Sequence, residues 1–220
     1  MKTFNSYYTD EKDLENFISL NNIEDSLSIL IQVFTAKNDM NFIRSVTDQI
    51  DKLLPSAYLI GSTTDGEIKD GDVTTGHTVI SFSIFENTSL KIFISNEFDS
   101  YRDAGELLAI NLIEPNTKAI ISFIDGIGSN GEEFLNGISS VDKNVVIAGG
   151  LAGDGAKFKA TYVFTKEHIF SKGTVGVSLN SDVLKVHNEY NFGWLPVGVE
   201  LLITKAVNNR VYTINDKTAY

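Results

Sequence analysis

The chain contains no cysteine. That excludes disulfides, thiolate metal sites and thiol nucleophiles together, and it fits a reducing compartment, the cytoplasm. Proline is scarce, with only Pro55, Pro115 and Pro196, so no proline-rich linker divides the chain. No apolar stretch is long enough to span a bilayer, and the opening "MKTFNSYYTDEKDLENF" lacks the apolar core of a signal peptide. There is no run of Lys and Arg. Against 18 basic residues stand 29 acidic ones, for a net charge of −11, and that field repels nucleic acid and anionic membranes. Only three histidines occur, His77, His168 and His187, in no metal-ligand spacing such as H-E-x-x-H. There is no G-x-S-x-G nucleophile elbow, and the carboxylates form no close pair that would argue for catalysis.

What is present is a large core. In 220 residues, 42% are hydrophobic and 21% charged, which suits one large folded domain or two small ones. Helices are expected over Asp10–Leu20, with Thr9 or Asp10 as its cap, over Asn38–Leu54 and Ser100–Ile113, ended by Pro55 and Pro115, and over Asn130–Val141, with Ser129 or Asn130 as its cap. Strands are expected at "SILIQVF" (Ser28–Phe34), whose apolar run hardly alternates and so reads as buried on both faces, at "AYLIG" (Ala57–Gly61) and "VVIAGG" (Val145–Gly150), read as buried strands, and at "AIISFID" (Ala119–Asp125). Four hairpins are expected: His77–Phe85 with Ser89–Ser95, Phe158–Phe164 with His168–Phe170, a third within Gly173–Tyr190, and a last one around Asn208-Asn209 joining Val199–Ala206 to Arg210–Ile214.

The halves can be laid over one another. "AYLIGSTTDG" matches "VVIAGGLAGDG", and "GHTVISFSIFENTSLKIF" matches "GTVGVSLNSDVLKVH". The fold class is therefore α/β (α+β mixed), with two related β-α-β-β-β units over about 28–113 and 119–190 and a C-terminal hairpin over 199–214. Mixed sheets packed face to face with helices outside, a layered α-β-β-α sandwich, would bury both faces of the central strands. A single continuous mixed sheet flanked by helices is the competing arrangement.

Three features bear on chemistry. "DGIGSNG" carries Gly126, Gly128 and Gly131 in the spacing G-x-G-x-x-G between a strand and a helix, which opens the reading of a nucleotide-binding enzyme. The antiparallel hairpins that follow, and the glycine-free counterpart "TAKNDMN" in the first half, count against it. The loops "GSTTDGE" (Gly61–Glu67) and "GGLAGDG" (Gly149–Gly155) each follow an apolar strand and hold small residues and then Asp-Gly. Ligands collect at such strand ends in α/β folds. Gly61, Ser62, Thr63, Thr64, Asp65, Gly149, Gly150, Gly153 and Asp154 are therefore candidate ligand-binding residues, with Asp125 and Gly126 beside them. Glycine N–H groups suit a carboxylate, Asp65 or Asp154 an ammonium, and Tyr162 or Trp194 are aromatics that would close the pocket. The plain alternative is a pair of polar turns.

Five segments in order, "LIGSTTDGEI", "DGIGSNGEEFLNGI", "GGLAGDGAKFKATYVF", "GTVGVSL" and "GWLPVGVELLITKA", resemble the FIST N-terminal domain. "NNRVYTINDKTAY" resembles the junction where the family's C-terminal module begins, so 1–214 is expected to be the sensory domain and 215–220 the start of that module. The resemblance implies a non-enzymatic, cytoplasmic sensory input domain of a bacterial signalling protein. It would bind an amino acid or similar small metabolite and act on an output module such as a histidine kinase, diguanylate cyclase, phosphodiesterase or chemoreceptor. One branch of the family resembles haem-based nitric oxide sensors. Haem is thus the alternative cofactor, with His187 as the position to test, and otherwise neither metal nor cofactor is expected. Leu195 stands where the more usual family form has a basic residue.

Overall fold

The computed structural model describes residues 1–189, 193, 195–207 and 210–219. Trp194, the turn at Asn208-Asn209 and the end of the expected third hairpin at Tyr190 lie outside the described residues. The chain divides into two compact units, Met1–His187 and Asn188–Tyr220. In chain order the first unit contains β1 (Lys2–Tyr7), α1 (Glu11–Leu20), β2 (Ile29–Thr35), α2 (Met40–Leu53), β3 (Tyr58–Thr63), β4 (Glu67–Lys69), β5 (Asp72–Thr74) and β6 (Thr78–Ile84). These are followed by β7 (Ser89–Ser95), α3 (Tyr101–Leu112), β8 (Thr117–Ile124), α4 (Gly131–Val141), β9 (Val146–Leu151), β10 (Val163–Phe164), β11 (Ile169–Phe170) and β12 (Thr174–Asn180). The second unit is a three-stranded antiparallel sheet of β13 (Ile203–Val207), β14 (Arg210–Ile214) and β15 (Lys217–Thr218).

Local chemistry sets the helix starts. Asp10, Asp39, Ser100 and Asn130 each sit in extended backbone and accept a first-turn N–H through the side chain, which satisfies donors that the helix leaves unpaired. Pro55 and Pro115 stand two or three residues beyond α2 and α3, where a helix cannot continue.

Two sheets form the first unit. One has the strand order β1-β6-β2-β3-β10-β11, the other β7-β12-β8-β9. Within each, β2 with β3 and β8 with β9 are parallel pairs, as the intervening helices require. The alternation of β2 shows how the layers stack. Ile29, Ile31 and Val33 face α1 and α2, while Leu30 and Phe34 face the other sheet. A second core lies between the sheets, joining Leu30, Ile60 and Phe34 to Phe123, Val175 and Val177. A third lies between α3, α4 and the far side of β8, with Leu108, Ala109, Ile120 and Ile138 at its centre. The first unit is thus an α-β-β-α sandwich, and the single continuous sheet is excluded.

The strand order is the same in the two sheets, β1-β6-β2-β3 against β7-β12-β8-β9, and the chain visits both as β-α-β-α-β-hairpin-β. The matching sets begin at Lys2 and Ser89, earlier than the 28 and 119 suggested by the sequence. β1 is half exposed and lacks an apolar run, and Ser89–Ser95, which reads as the hairpin partner of His77–Phe85, instead opens the second set by pairing with β12.

Two pairings and the burial of one strand differ from the sequence expectation. His77–Phe85 and Ser89–Ser95 are not a hairpin. Both edges of β6 are taken by β1 and β2, so β7 crosses to the other sheet and pairs with β12. In the same way, both edges of β12 are occupied by β7 and β8, and residues 183–187 form no strand. Thirdly, β9 is not buried on both faces. It is an edge strand whose last four residues, Ala148–Leu151, are exposed. The hairpin β13–β14 does form, and that at β10–β11 forms only between Val163–Phe164 and Ile169–Phe170, since residues 158–162 belong to no strand. The short hairpin β4–β5 was not expected from the sequence.

Candidate functional site

The two glycine-containing loops meet at the C-terminal ends of β3 and β9. Gly153 N–H donates to the Thr63 carbonyl at 2.8 Å, and Gly155 N–H donates to Asp65 Oδ1 at 2.6 Å. Thr63 is buried and bonded on both sides to Tyr162, donating its N–H to the Tyr162 carbonyl and accepting the Tyr162 N–H on Oγ1, each at 2.9 Å. These bonds join one half of the fold to the other at the strand ends.

Beside this junction lies a cavity of about 450 Å³ between the sheets. Gln32 and Phe34 of β2 and Ser62 and Thr64 at the end of β3 line one side. Ile121 and Phe123 of β8 and Ala148–Leu151 of β9 line the other. The Phe34 and Phe123 rings meet edge-on with centroids 5.4 Å apart, giving an aromatic floor. The pocket is an open, largely apolar groove with a few convergent polar groups, and such a lining is the usual build of a small-ligand site. Two buried side-chain oxygens without a partner among the described residues, Asn38 Oδ1 and Ser129 Oγ, lie in the β2–α2 and β8–α4 loops, at this same end of the strands.

Of the residues expected at a site, Ser62, Thr64, Gly149 and Gly150 line the cavity. The others have bonds that hold the loops. Gly61 lies under the Phe164 ring, which occupies the place a Cβ would take. Gly126 packs against the Ala152 carbonyl and donates its N–H to Thr161 Oγ1 at 2.9 Å. Asp125 is buried and accepts from the Tyr101 hydroxyl at 2.7 Å and from the Gly128 and Gly173 N–H groups at 3.2 and 3.4 Å. Burial, and then the hydrogen bond to Asp125, hold the Tyr101 hydroxyl far above its ordinary pKa. Asp65 is exposed and tied to Gly155. Tyr162 packs against the α1–α2 core, outside this cavity. His187 is exposed in an irregular segment. The glycines of "DGIGSNG" form the turn into α4, with Asn130 as its cap. Among the described residues no group of three His, Cys, Asp or Glu is placed to hold a metal ion.

Asp154 closes its own loop. Its Oδ1 accepts from Lys157 and Phe158 N–H at 2.8 and 2.9 Å, and its Oδ2 from Lys159 N–H at 2.7 Å. The Lys159 bond above all, with those from Phe158 and Lys157, outweighs burial and lowers the carboxyl below its ordinary pKa. A carboxyl lowered in the folded state stabilises it above the unfolded value, about 3.9. The contribution is lost as pH falls through the folded value. Asp154→Asn is expected to weaken the fall in melting temperature through this acidic window and to speed amide exchange at Lys157–Lys159. An unchanged acid profile with unchanged exchange would contradict the role.

Two cavity features escape sequence reasoning. Gln32 sits mid-strand in an apolar run, and its lone polar side chain there is the one signal that marks it. The exposure of β9 follows from strand order, which no local pattern encodes. A family model described as the FIST N domain matches residues 29–217. No curated protein matches the chain.

Proposed function

The chain belongs to the FIST N domain family, a family of sensory domains in signal transduction and not of enzymes, and on that premise we propose that the first unit binds a small polar metabolite such as an amino acid in the cavity between its two sheets. The observation that carries this reading is the convergence of Ser62, Thr64 and Gln32 with the exposed Gly149-Gly150 backbone around an aromatic floor. Gln32 offers two donors and an acceptor. The Ser62 and Thr64 hydroxyls, which donate to the Thr63 carbonyl and to Glu67 Oε1, offer acceptor lone pairs, and the glycine backbone presents N–H and C=O groups without side chains in the way. That set suits a ligand carrying both an ammonium and a carboxylate, held by hydrogen bonds without a fixed charge in the wall.

Binding at this place couples the two halves, because β2 and β3 belong to one sheet and β8 and β9 to the other. A ligand that binds one packing of the sheets better than another shifts the balance between them, and this bias is the signal delivered to an output module. The output module of such a cytoplasmic, bacterial sensor would be a histidine kinase, a diguanylate cyclase or a chemoreceptor. Among the described residues no helix is long and apolar enough to cross a membrane.

The test is a thermal-shift panel of amino acids and small organic acids against the 220-residue chain. A ligand present at 100 times its Kd adds about 2.7 kcal/mol of stability, which is an upward shift of several degrees for a domain of this size. The shift is expected to shrink in Gln32→Leu and in the double variant Ser62→Ala, Thr64→Val. If no compound raises the melting temperature, or if these variants respond like the parent, the cavity is not the site.

A further inference from the structure

We infer that the outer edge of β9 is a docking site for an extended apolar segment of a partner protein, which joins the sheet there as an antiparallel strand. The template is inside the molecule. The matching edge, that of β3, is covered by the two-residue strand β10, which pairs antiparallel with Val163 opposite Ser62 and Phe164 opposite Gly61. Both side chains of β10 are fully buried on opposite faces, Val163 in the core between the sheets and Phe164 in the helix-side core, its ring over Gly61.

By the shared strand order, Gly149 and Gly150 of β9 stand where Gly61 and Ser62 stand in β3. Among the described residues no strand pairs with the outer edge of β9. The first half's own counterpart of β10–β11, the hairpin β4–β5, forms a separate two-stranded sheet. An open edge leaves backbone donors and acceptors free for another chain. Here it also has a pocket on each face, as strand addition requires, because successive side chains of an added strand point to opposite sides. On the helix side, Phe134, Leu135, Ile147 and Leu151 line a largely apolar hollow of about 370 Å³. On the other side is the cavity floored by Phe34 and Phe123. Leu135 and Leu151 are 46% and 55% exposed, the apolar rim of an uncovered core.

The occupant these features fit is a strand with two consecutive apolar residues, one β-branched and one aromatic, in the manner of Val163-Phe164. Its aromatic ring would lie over Gly149 as Phe164 lies over Gly61. Gly149 has φ +145°, and a Cβ there would run into the Ser122 carbonyl, so this position stays open for a ring. A small ligand against Gln32 and Thr64 and the partner's inward side chain share one cavity, so the two exclude each other. The docking site itself stands without the small-ligand reading, and its test uses no small ligand.

The probe is the peptide ATYVFTK, the sequence of residues 160–166, added to the full chain. Amide exchange is expected to slow at Ala148–Leu151. The peptide with serine in place of its valine and phenylalanine, and the Leu135→Glu chain with the original peptide, are each expected to bind at least tenfold more weakly. A failure of protection at Ala148–Leu151, protection at β3 instead, or equal binding of the serine peptide would overturn the inference. So would a chain that sedimentation shows to be a dimer, made monomeric by Leu135→Glu, since a second copy would then be the occupant of the edge.

Discussion

Gly105→Ala and Gly137→Ala are each expected to destabilise the first unit by about 2–3 kcal/mol, although alanine is the better helix former. The cause is the contact of two backbones. A Cβ on Gly105 would overlap the Phe134 carbonyl oxygen and lie 3.1 Å from the Ile138 nitrogen. A Cβ on Gly137 would overlap the Arg102 carbonyl oxygen and lie 2.9 Å from the Glu106 nitrogen. No flexible side chain is there to yield, so α3 and α4 must part, and the core of Leu108, Phe134 and Ile138 beneath them loosens. Because one separation relieves both clashes, the double variant should cost clearly less than the sum of the single ones. Gly150→Ala is the control, since nothing lies within 4 Å of its Cβ. Urea midpoints at constant slope measure all four. A Gly105→Ala chain as stable as the parent would show that the helices do not meet in this way.

Phe164→Ala carries the other large effect, about 3–5 kcal/mol. Phe164 is fully buried on a two-residue strand, and it closes the helix-side core over β3. Gly61→Ala should destabilise as well, because its Cβ would enter the space of the Phe164 ring. The two are coupled through one volume, so Gly61→Ala should cost much less when residue 164 is already leucine. Strict additivity would mean that β10 does not seat its ring on β3. It would also remove the template on which the docking strand at β9 is drawn.

The sequence disclosed the parts of this molecule that local chemistry controls, and far less of what depends on which edges are free. All four helices were legible to within two residues, since Asp10, Asp39, Ser100 and Asn130 cap them by side-chain bonds that involve only near neighbours. The buried strands were legible from their double-faced apolar runs, and Ile29–Val33 shows why: successive residues serve successive cores. Pairing was not. "SIFENTSLKIF" has the look of a hairpin, yet β6 had no edge left for β7. β9 reads as a core strand in "VVIAGG", and only the sheet order reveals it as a bare edge.

The site was legible as a place and less so as a set of contacts. The loops at Gly61 and Gly149 do converge, because related units bring like strand ends together. Asp125 and Asp154 attract notice as acids in glycine-rich loops, and what they do in the fold is bind backbone N–H groups that would otherwise be unpaired. Gln32, which faces the cavity, is masked in the sequence by the apolar residues around it.

Amide chemical-shift mapping tests the central claim most directly, using the amino acid or organic acid that raises the melting temperature most. The ligand is predicted to move the resonances of Gln32, Ser62, Thr64 and Ala148–Leu151 together, with those of both sheets changing at one ligand concentration. A different groove, of about 420 Å³, lies at the other end of β3 between Tyr58, Ile92, Lys166 and His168. Shifts confined to that groove, with β9 and the end of β3 unmoved, would contradict the account.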